Sequence, residues 1–173
     1  MGLKGKILIA GLGNPLMGDD GAGVAVARAL KKKGLPPGVN VLEGEMDGLS
    51  LLERAEGFDL VIVVDAADMK LEPGEWRAFE LKPGLLKDEL GISAHQFGLG
   101  EALRLAEKLG WELPPIKIYG IQPERIGFTG KLQLSGAVAK AVRAVVEALR
   151  QELEALRSPN LSLIHISEPT RPY

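Results

Sequence analysis

The chain has 173 residues, a formal net charge of −2 and no cysteine. This length suits one domain with a sizeable core, and the lack of cysteine excludes disulfides, thiolate catalysis and cysteine-ligated metal centres. The balanced charge, without a basic block, gives no sign of a nucleic-acid partner, and no apolar run approaches the ~20 residues that cross a bilayer. We therefore expect a soluble, cytoplasmic protein without membrane insertion.

The first apolar stretch, residues 7–10, predicts a buried strand that leads into a glycine-rich loop. Two adjacent carboxylates, Asp19 and Asp20, follow that loop at the start of a helix predicted over residues 21–33. One aspartate at this position is an ordinary helix cap, favoured by the positive end of the helix. Two side by side repel each other, so we expect one of them to have a second task.

The rest of the chain alternates between strand and helix patterns. Further strands are predicted at residues 39–43, 60–64, 76–81 and 116–121, and helices at 49–55, 98–109 and 135–156. This alternation is typical of a three-layer α/β/α single domain with a mostly parallel sheet of about five strands. We expect residues 6–10 and 60–64 to be neighbours near the centre of the sheet, and residues 76–81 to form an edge strand.

The last residues, 161–173, do not continue the periodicity of the preceding helix and follow a break at residues 158–160. Their sequence, LSLIHISEPTRPY, reads as the translation of a common transposase sequencing adapter. We therefore predict a native domain over residues 1–160 and a non-native tail over residues 161–173. One of the two histidines, His165, lies in this tail, which leaves His95 as the histidine of the domain.

Polar side chains follow several of the predicted strands, where ligands bind in open parallel sheets. Asp20 follows the first strand, Asp65 follows the apolar run at 60–64, and Gln122 follows the last strand. His95 lies just before the helix predicted at 98–109. Two carboxylates and one imidazole nitrogen suit a divalent transition metal, although spacing alone does not bring Asp20, Asp65 and His95 together.

Other nucleotide-binding and hydrolytic motifs fit the sequence less well. The GLGNP loop lacks the lysine and the hydroxyl residue of a Walker A loop. It is not a GxGxxG loop either, because Leu16 occupies the position of the last glycine. We therefore expect no nucleotide partner. A serine hydrolase elbow of the GxSxG type is absent. Peptidyl-tRNA hydrolases also begin with GLGNP, but this chain continues with Met17-Gly18-Asp19-Asp20 and has no nearby histidine.

Four ordered segments carry a resemblance to a known family. They are GLGNPLMGDDGAG at 11–23, VVDAADMKLEPGE at 63–75, SAHQFGL at 93–99 and YGIQPERIGF at 119–128. With these segments the chain resembles the [NiFe] hydrogenase maturation endopeptidases, and most closely those serving formate-hydrogenlyase-type hydrogenases. One departure lies at residues 43–48, which read EGEMDG where many members have a DGG-type turn.

The resemblance implies a function and a set of site residues. Members remove a C-terminal peptide from the hydrogenase large-subunit precursor after nickel insertion, and their nickel-contacting residues correspond to Asp20, Asp65 and His95. These three are therefore the expected catalytic and metal-binding residues, with nickel delivered by the substrate. Within the adjacent pair, our own expectation is that Asp19 is the helix cap and Asp20 the ligand. A non-catalytic nickel-sensing chaperone or assembly scaffold is the alternative.

The resemblance leaves three mechanisms open. Substrate-bound nickel serves as a recognition element that positions the scissile bond, which is the mechanism we favour. Nickel instead, or in addition, polarises the carbonyl while a carboxylate activates water. In the third mechanism, Asp19 and Asp20 share a proton in aspartic-protease-like catalysis, which requires their close approach.

Overall fold

The computed structural model describes residues 5–81 and 99–157. These residues form five strands and four α-helices, and a short 3-10 helix, Gly18–Gly21, precedes the first helix. The strands are β1 (Ile7–Leu12), β2 (Val39–Gly44), β3 (Leu60–Ala66), β4 (Trp76–Leu81) and β5 (Ile116–Ile121). The helices are α1 (Ala22–Lys33), α2 (Gly48–Ala55), α3 (Leu99–Lys108) and α4 (Gly136–Arg157).

The strands form one sheet in the order β2-β1-β3-β5-β4. All neighbours are parallel except β4, which runs antiparallel to β5 and forms an edge. The central position of β3 beside β1 confirms the predicted pairing of residues 6–10 with 60–64. Continuously apolar strands are expected in this arrangement because helices cover both faces of a parallel sheet.

The helices cover the two faces of the sheet in pairs. One core lies between the sheet, α1 and α4, and contains Ile62 and Val64 of β3. The second core lies between the sheet, α2 and α3, and contains Val61 and Val63. Because side chains alternate along a strand, Asp65 belongs to the face that α2 and α3 cover.

Strand β3 is longer than the sequence predicts. Residues 60–64 were expected to form the strand with Asp65 after it, but β3 extends to Ala66 and includes Asp65. The reason is tertiary: the parallel ladder with β5 continues through Asp65 opposite Gly120 and Ala66 opposite Ile121. Asp65 therefore has the fixed backbone of a central strand.

A buried charged residue interrupts the apolar pattern of β5. Lys117 is almost fully buried, and its Nζ lies 2.7 Å from Oε1 of Glu152 on α4. The hydroxyl of Tyr119 donates to the same carboxylate oxygen, and the Tyr119 ring stacks on Trp76 of β4 with a centroid distance of 5.9 Å. This cluster joins β4, β5 and α4 at one side of the sheet.

Several predictions from the sequence fall on residues outside the described ranges. They are the loop at 83–93, His95, the domain boundary at 160 and the tail at 161–173. Within the described ranges, no helix combines the length and apolar character that would let it cross a bilayer.

Candidate active site

The loop after β1 turns on Gly13, which has a φ of +127° that residues with a side chain rarely adopt. A Cβ placed on Gly13 would lie 1.9 Å from the carbonyl oxygen of Asp20 and 3.6 Å from Oδ1 of Asp65. The absence of a side chain here therefore lets the Asp20 backbone close onto the loop beside the Asp65 carboxylate. This contact brings two of the three predicted site residues together.

Glycines also let α1 approach the ends of the central strands. A Cβ on Gly23 of α1 would lie 2.2 Å from the carbonyl oxygen of Val64 and 2.5 Å from that of Leu12. These separations are far below normal contact, so only glycine permits this packing. The beginning of α1, which follows Asp20, is thereby pressed against the carboxyl ends of β1 and β3.

Asp20 is half-buried, and one backbone donor among the described residues holds its carboxylate. Its Oδ2 accepts a hydrogen bond of 2.8 Å from the backbone N–H of Asn14 in the same loop. Its other carboxylate oxygen has no hydrogen bond to the residues that the structure describes. Asp20 therefore has acceptor capacity left for a ligand.

Asp65 is 5 % exposed and carries a perturbed carboxyl group. Burial and the nearby Asp20 carboxylate raise the pKa of Asp65 well above its usual value, and a hydrogen bond from the Ala66 backbone offsets this only in part. Neither Asp20 nor Asp65 forms a salt bridge within residues 5–81 and 99–157. Among the described residues, the two carboxylates thus form an acidic pair that no cation compensates.

Asp19 has a different role from its neighbour. It is 1 % exposed, and its carboxylate accepts backbone hydrogen bonds from Glu124 and Arg125, both 2.9 Å, and from Ser135 at 2.7 Å. The Ser135 hydroxyl donates a fourth bond of 2.8 Å. Burial alone would raise the pKa of Asp19, but these hydrogen bonds outweigh it and hold the pKa below its usual value.

The prediction that Asp19 caps the following helix is wrong. Neither the 3-10 helix nor α1 receives a side-chain cap. Asp19 instead fastens the loop after β1 to the loop after β5 and to the start of α4. Sequence reasoning could not find these partners because they lie 105 to 116 residues further along the chain.

Gln122 lies directly after β5, as predicted, and its side chain is buried. Its Oε1 accepts hydrogen bonds from the backbone N–H groups of Met69 at 2.7 Å and Leu71 at 3.2 Å. Gln122 therefore fixes the loop that follows β3, and through it the end of the strand that carries Asp65. We assign it a supporting role beside the site.

His95, the third predicted site residue, lies outside the described residues. The helix that follows it in sequence, α3, begins at Leu99, which is buried in the same core as Val61 and Val63. This is the sheet face to which Asp65 belongs. Within the described part of the chain, no three His, Cys, Asp or Glu side chains converge as a complete metal site.

The fold and this acidic pair define the class of protein: a three-layer α/β domain with a polar site at the carboxyl edge of a mostly parallel sheet. The model of the hydrogenase maturation protease family, HycI, matches residues 24–152, and the chain belongs to this family.

Individual relatives agree with this assignment. The hydrogenase 2 maturation protease of Escherichia coli (strain K12) is 32 % identical over 164 residues, which cover 92 % of this chain and 95 % of the relative. Hydrogenase expression/formation protein HupD of Thiocapsa roseopersicina is 33 % identical over 152 residues, or 84 % of this chain and 68 % of the relative. The structure of the [NiFe] hydrogenase maturation protease HybD from Thermococcus kodakarensis superposes with a TM-score of 0.67 at 33 % identity, covering 84 % and 97 % of the two chains. These similarities confirm the predicted family and fold.

Proposed function

We propose that this chain is an endopeptidase that removes the C-terminal peptide of a [NiFe] hydrogenase large-subunit precursor after nickel insertion. The observation that supports it most is the pairing of Asp20 and Asp65 beside Gly13, in a chain of the hydrogenase maturation protease family. A protease of this kind needs a means of sensing that its substrate is loaded. A carboxylate pair that no cation of the described residues compensates provides one, because it attracts a metal ion carried by the precursor.

In this proposal nickel is part of the substrate. Asp20 and Asp65 supply carboxylate oxygens, His95 supplies an imidazole nitrogen, and the precursor supplies the remaining ligands. Binding places the scissile bond at the carboxyl edge of the sheet. The donor set suits the ion because both carboxylates lack a cationic partner among the described residues.

The carboxylates also offer acid–base chemistry. A carboxyl group whose pKa is raised, as at Asp65, is a stronger base when ionised and is suited to activating a water molecule. Proton sharing between Asp19 and Asp20 finds no support in the geometry. The donors around Asp19 stabilise its ionised form, so it has no tendency to retain a proton.

The decisive experiment is incubation of the protein with a nickel-loaded large-subunit precursor, followed by intact-mass measurement of the precursor. Loss of a C-terminal peptide supports the endopeptidase. Nickel-dependent binding without any loss of mass supports the alternative, a nickel-sensing chaperone or assembly scaffold. An equal loss of mass from the nickel-free precursor would contradict recognition through nickel.

A matched pair of histidine variants tests the third ligand. His95→Ala should abolish nickel-dependent processing, whereas His165→Ala, in the predicted tail, should process like the wild type. Because a histidine ligand must be neutral, nickel-dependent binding should weaken as the pH falls below ~6.5. Normal processing by His95→Ala would remove His95 from the proposed site.

A further inference from the structure

An exposed apolar surface lies beside the candidate site. The seven large hydrophobic side chains that are exposed among the described residues include four on the loop after β1 and the loop after β5: Leu16, Ile126, Phe128 and Leu132. Phe128 is 77 % exposed. We refer to these four residues as the loop patch.

The two loops of the loop patch are joined by backbone hydrogen bonds. The N–H of Thr129 donates to the carbonyl oxygen of Leu16 at 2.8 Å, and the Thr129 hydroxyl donates to the same oxygen at 3.1 Å. The N–H of Asp19 donates to the carbonyl oxygen of Arg125 at 2.9 Å. The patch is therefore a surface with a fixed backbone, although its side chains are in water.

The loop patch is continuous with the candidate site. A Cβ on Gly21 would lie 2.8 Å from Cδ1 of Leu132 and 3.0 Å from Cα of Pro15. Leu132 thus packs against the residue that follows Asp20, beside the loop whose Asn14 N–H donates to the Asp20 carboxylate. One end of the loop patch therefore lies next to the loop that carries Asp20.

We propose that the loop patch binds an apolar stretch of the hydrogenase large-subunit precursor that flanks the scissile bond, with Phe128 as the main contact. This inference rests on the proposed function, because it takes the precursor as the substrate. An exposed aromatic side chain on a backbone that is already ordered loses little conformational freedom on binding. Aromatic side chains are enriched among the residues that dominate binding energy at protein interfaces.

The test compares Phe128→Ala and the double variant Ile126→Ala/Phe128→Ala with the wild type. Leu109→Ala is the matched control, because Leu109 is 69 % exposed but lies in the segment between α3 and the start of β5, at the opposite edge of the sheet. Cleavage of the nickel-loaded precursor gives kcat and KM for each protein. We expect Phe128→Ala to raise KM about tenfold with kcat within about twofold of the wild type, and Leu109→Ala to change neither.

Equal KM values for the wild type and both patch variants would overturn the inference while leaving the proposed function intact. If the wild type binds the precursor without cutting it, the proposed function fails, and the inference is then tested by the Kd for the same precursor. If the wild type does not bind the precursor at all, both fail.

Two further measurements exclude other occupants of the loop patch. Sedimentation of the wild type and of Phe128→Ala shows whether the patch joins two copies of this chain, and a dimer lost in the variant would overturn the inference. Urea unfolding shows whether the patch packs against the chain itself. The inference expects nearly unchanged stability for Phe128→Ala, and a clear loss would overturn it.

Discussion

The buried carboxylate of Asp19 makes the most quantitative prediction. Asn at this position keeps the shape of the side chain but removes the charge and one acceptor oxygen. In the wild type, Oδ2 of Asp19 accepts three of the four hydrogen bonds and Oδ1 accepts the fourth, from the N–H of Ser135. The asparagine oxygen is therefore best placed at the Oδ2 position. The amide nitrogen then faces the N–H of Ser135, and two donors meet. One charge-assisted bond, worth about 1.5–3 kcal/mol, is lost and the other three are weakened, for a total of about 3–5 kcal/mol.

Urea unfolding at pH 7 measures this loss, with Asp47→Asn as the control. Asp47 caps α2 by accepting from the N–H of Ser50, and asparagine caps about as well as aspartate, so the control should unfold like the wild type. The pKa of Asp19 is held below its ordinary value of 3.8, so the stability it contributes is present above that pH. It is lost as the pH falls through the lowered pKa of the folded state.

The difference between the wild type and Asp19→Asn should therefore be constant near neutral pH and shrink in acid, since asparagine does not titrate. An unfolding free energy for Asp19→Asn within ~1 kcal/mol of the wild type, matching the control, would refute the assignment of Asp19 as the connection between the two loops.

Three other substitutions test the site and its support. Gly13→Ala should cost more stability than Gly57→Ala in urea unfolding and should abolish processing. Both positions have positive φ, but of the two only Gly13 has atoms within 4 Å of an added Cβ. Equal costs would contradict the close contact between Gly13 and Asp20. Asp65→Asn should raise the Tm of the metal-free protein at neutral pH while removing processing. Because the pKa of Asp65 is raised, its contribution to stability is present below pH 3.8 and is lost as the pH rises through the raised value. The gain in Tm from Asp65→Asn should therefore grow with pH. A fall in Tm at neutral pH would show that the fold stabilises the ionised form of Asp65. Glu152→Gln should cost about 3–5 kcal/mol of stability, because it leaves buried Lys117 without its counter-charge. The double variant Lys117→Met/Glu152→Leu should recover most of that loss. Equal stabilities of the single and double variants would contradict the buried ion pair.

The sheet was predictable because its signals are local. Strands β1 and β3 are short apolar runs, and the alternation of strand patterns with helical patterns predicts a mostly parallel sheet. The end of β3 was not predictable in this way. Its last two residues belong to the strand because β5 pairs with them, and residue 65 alone carries no sign of that partner.

The candidate site was predictable only where motifs carry the information. Asp20 and Asp65 stand in segments that resemble the family, and the structure brings them together at Gly13. The role of Asp19 was beyond reach, because its donors come from loops more than 100 residues away. Because Asp19 is adjacent to Asp20 in sequence, proton sharing between them was one of the mechanisms considered. In the structure the two carboxylates have different hydrogen-bond partners.

The opposite pKa directions of Asp19 and Asp65 follow from the hydrogen-bond donors and the charges around two buried carboxylates. Four donors of the chain itself stabilise the negative charge of Asp19, so it is satisfied within the fold and has no need of a ligand. Asp65 accepts one backbone hydrogen bond that lowers its pKa, whereas the nearby charge of Asp20 raises it. Its ionised form is therefore stabilised only when something outside the described residues brings positive charge. A metal ion carried by a loaded precursor would do so, and binding would release the proton that Asp65 otherwise tends to hold. An empty precursor offers no such compensation, and this difference is what lets a pair of carboxylates distinguish the two in the function we propose.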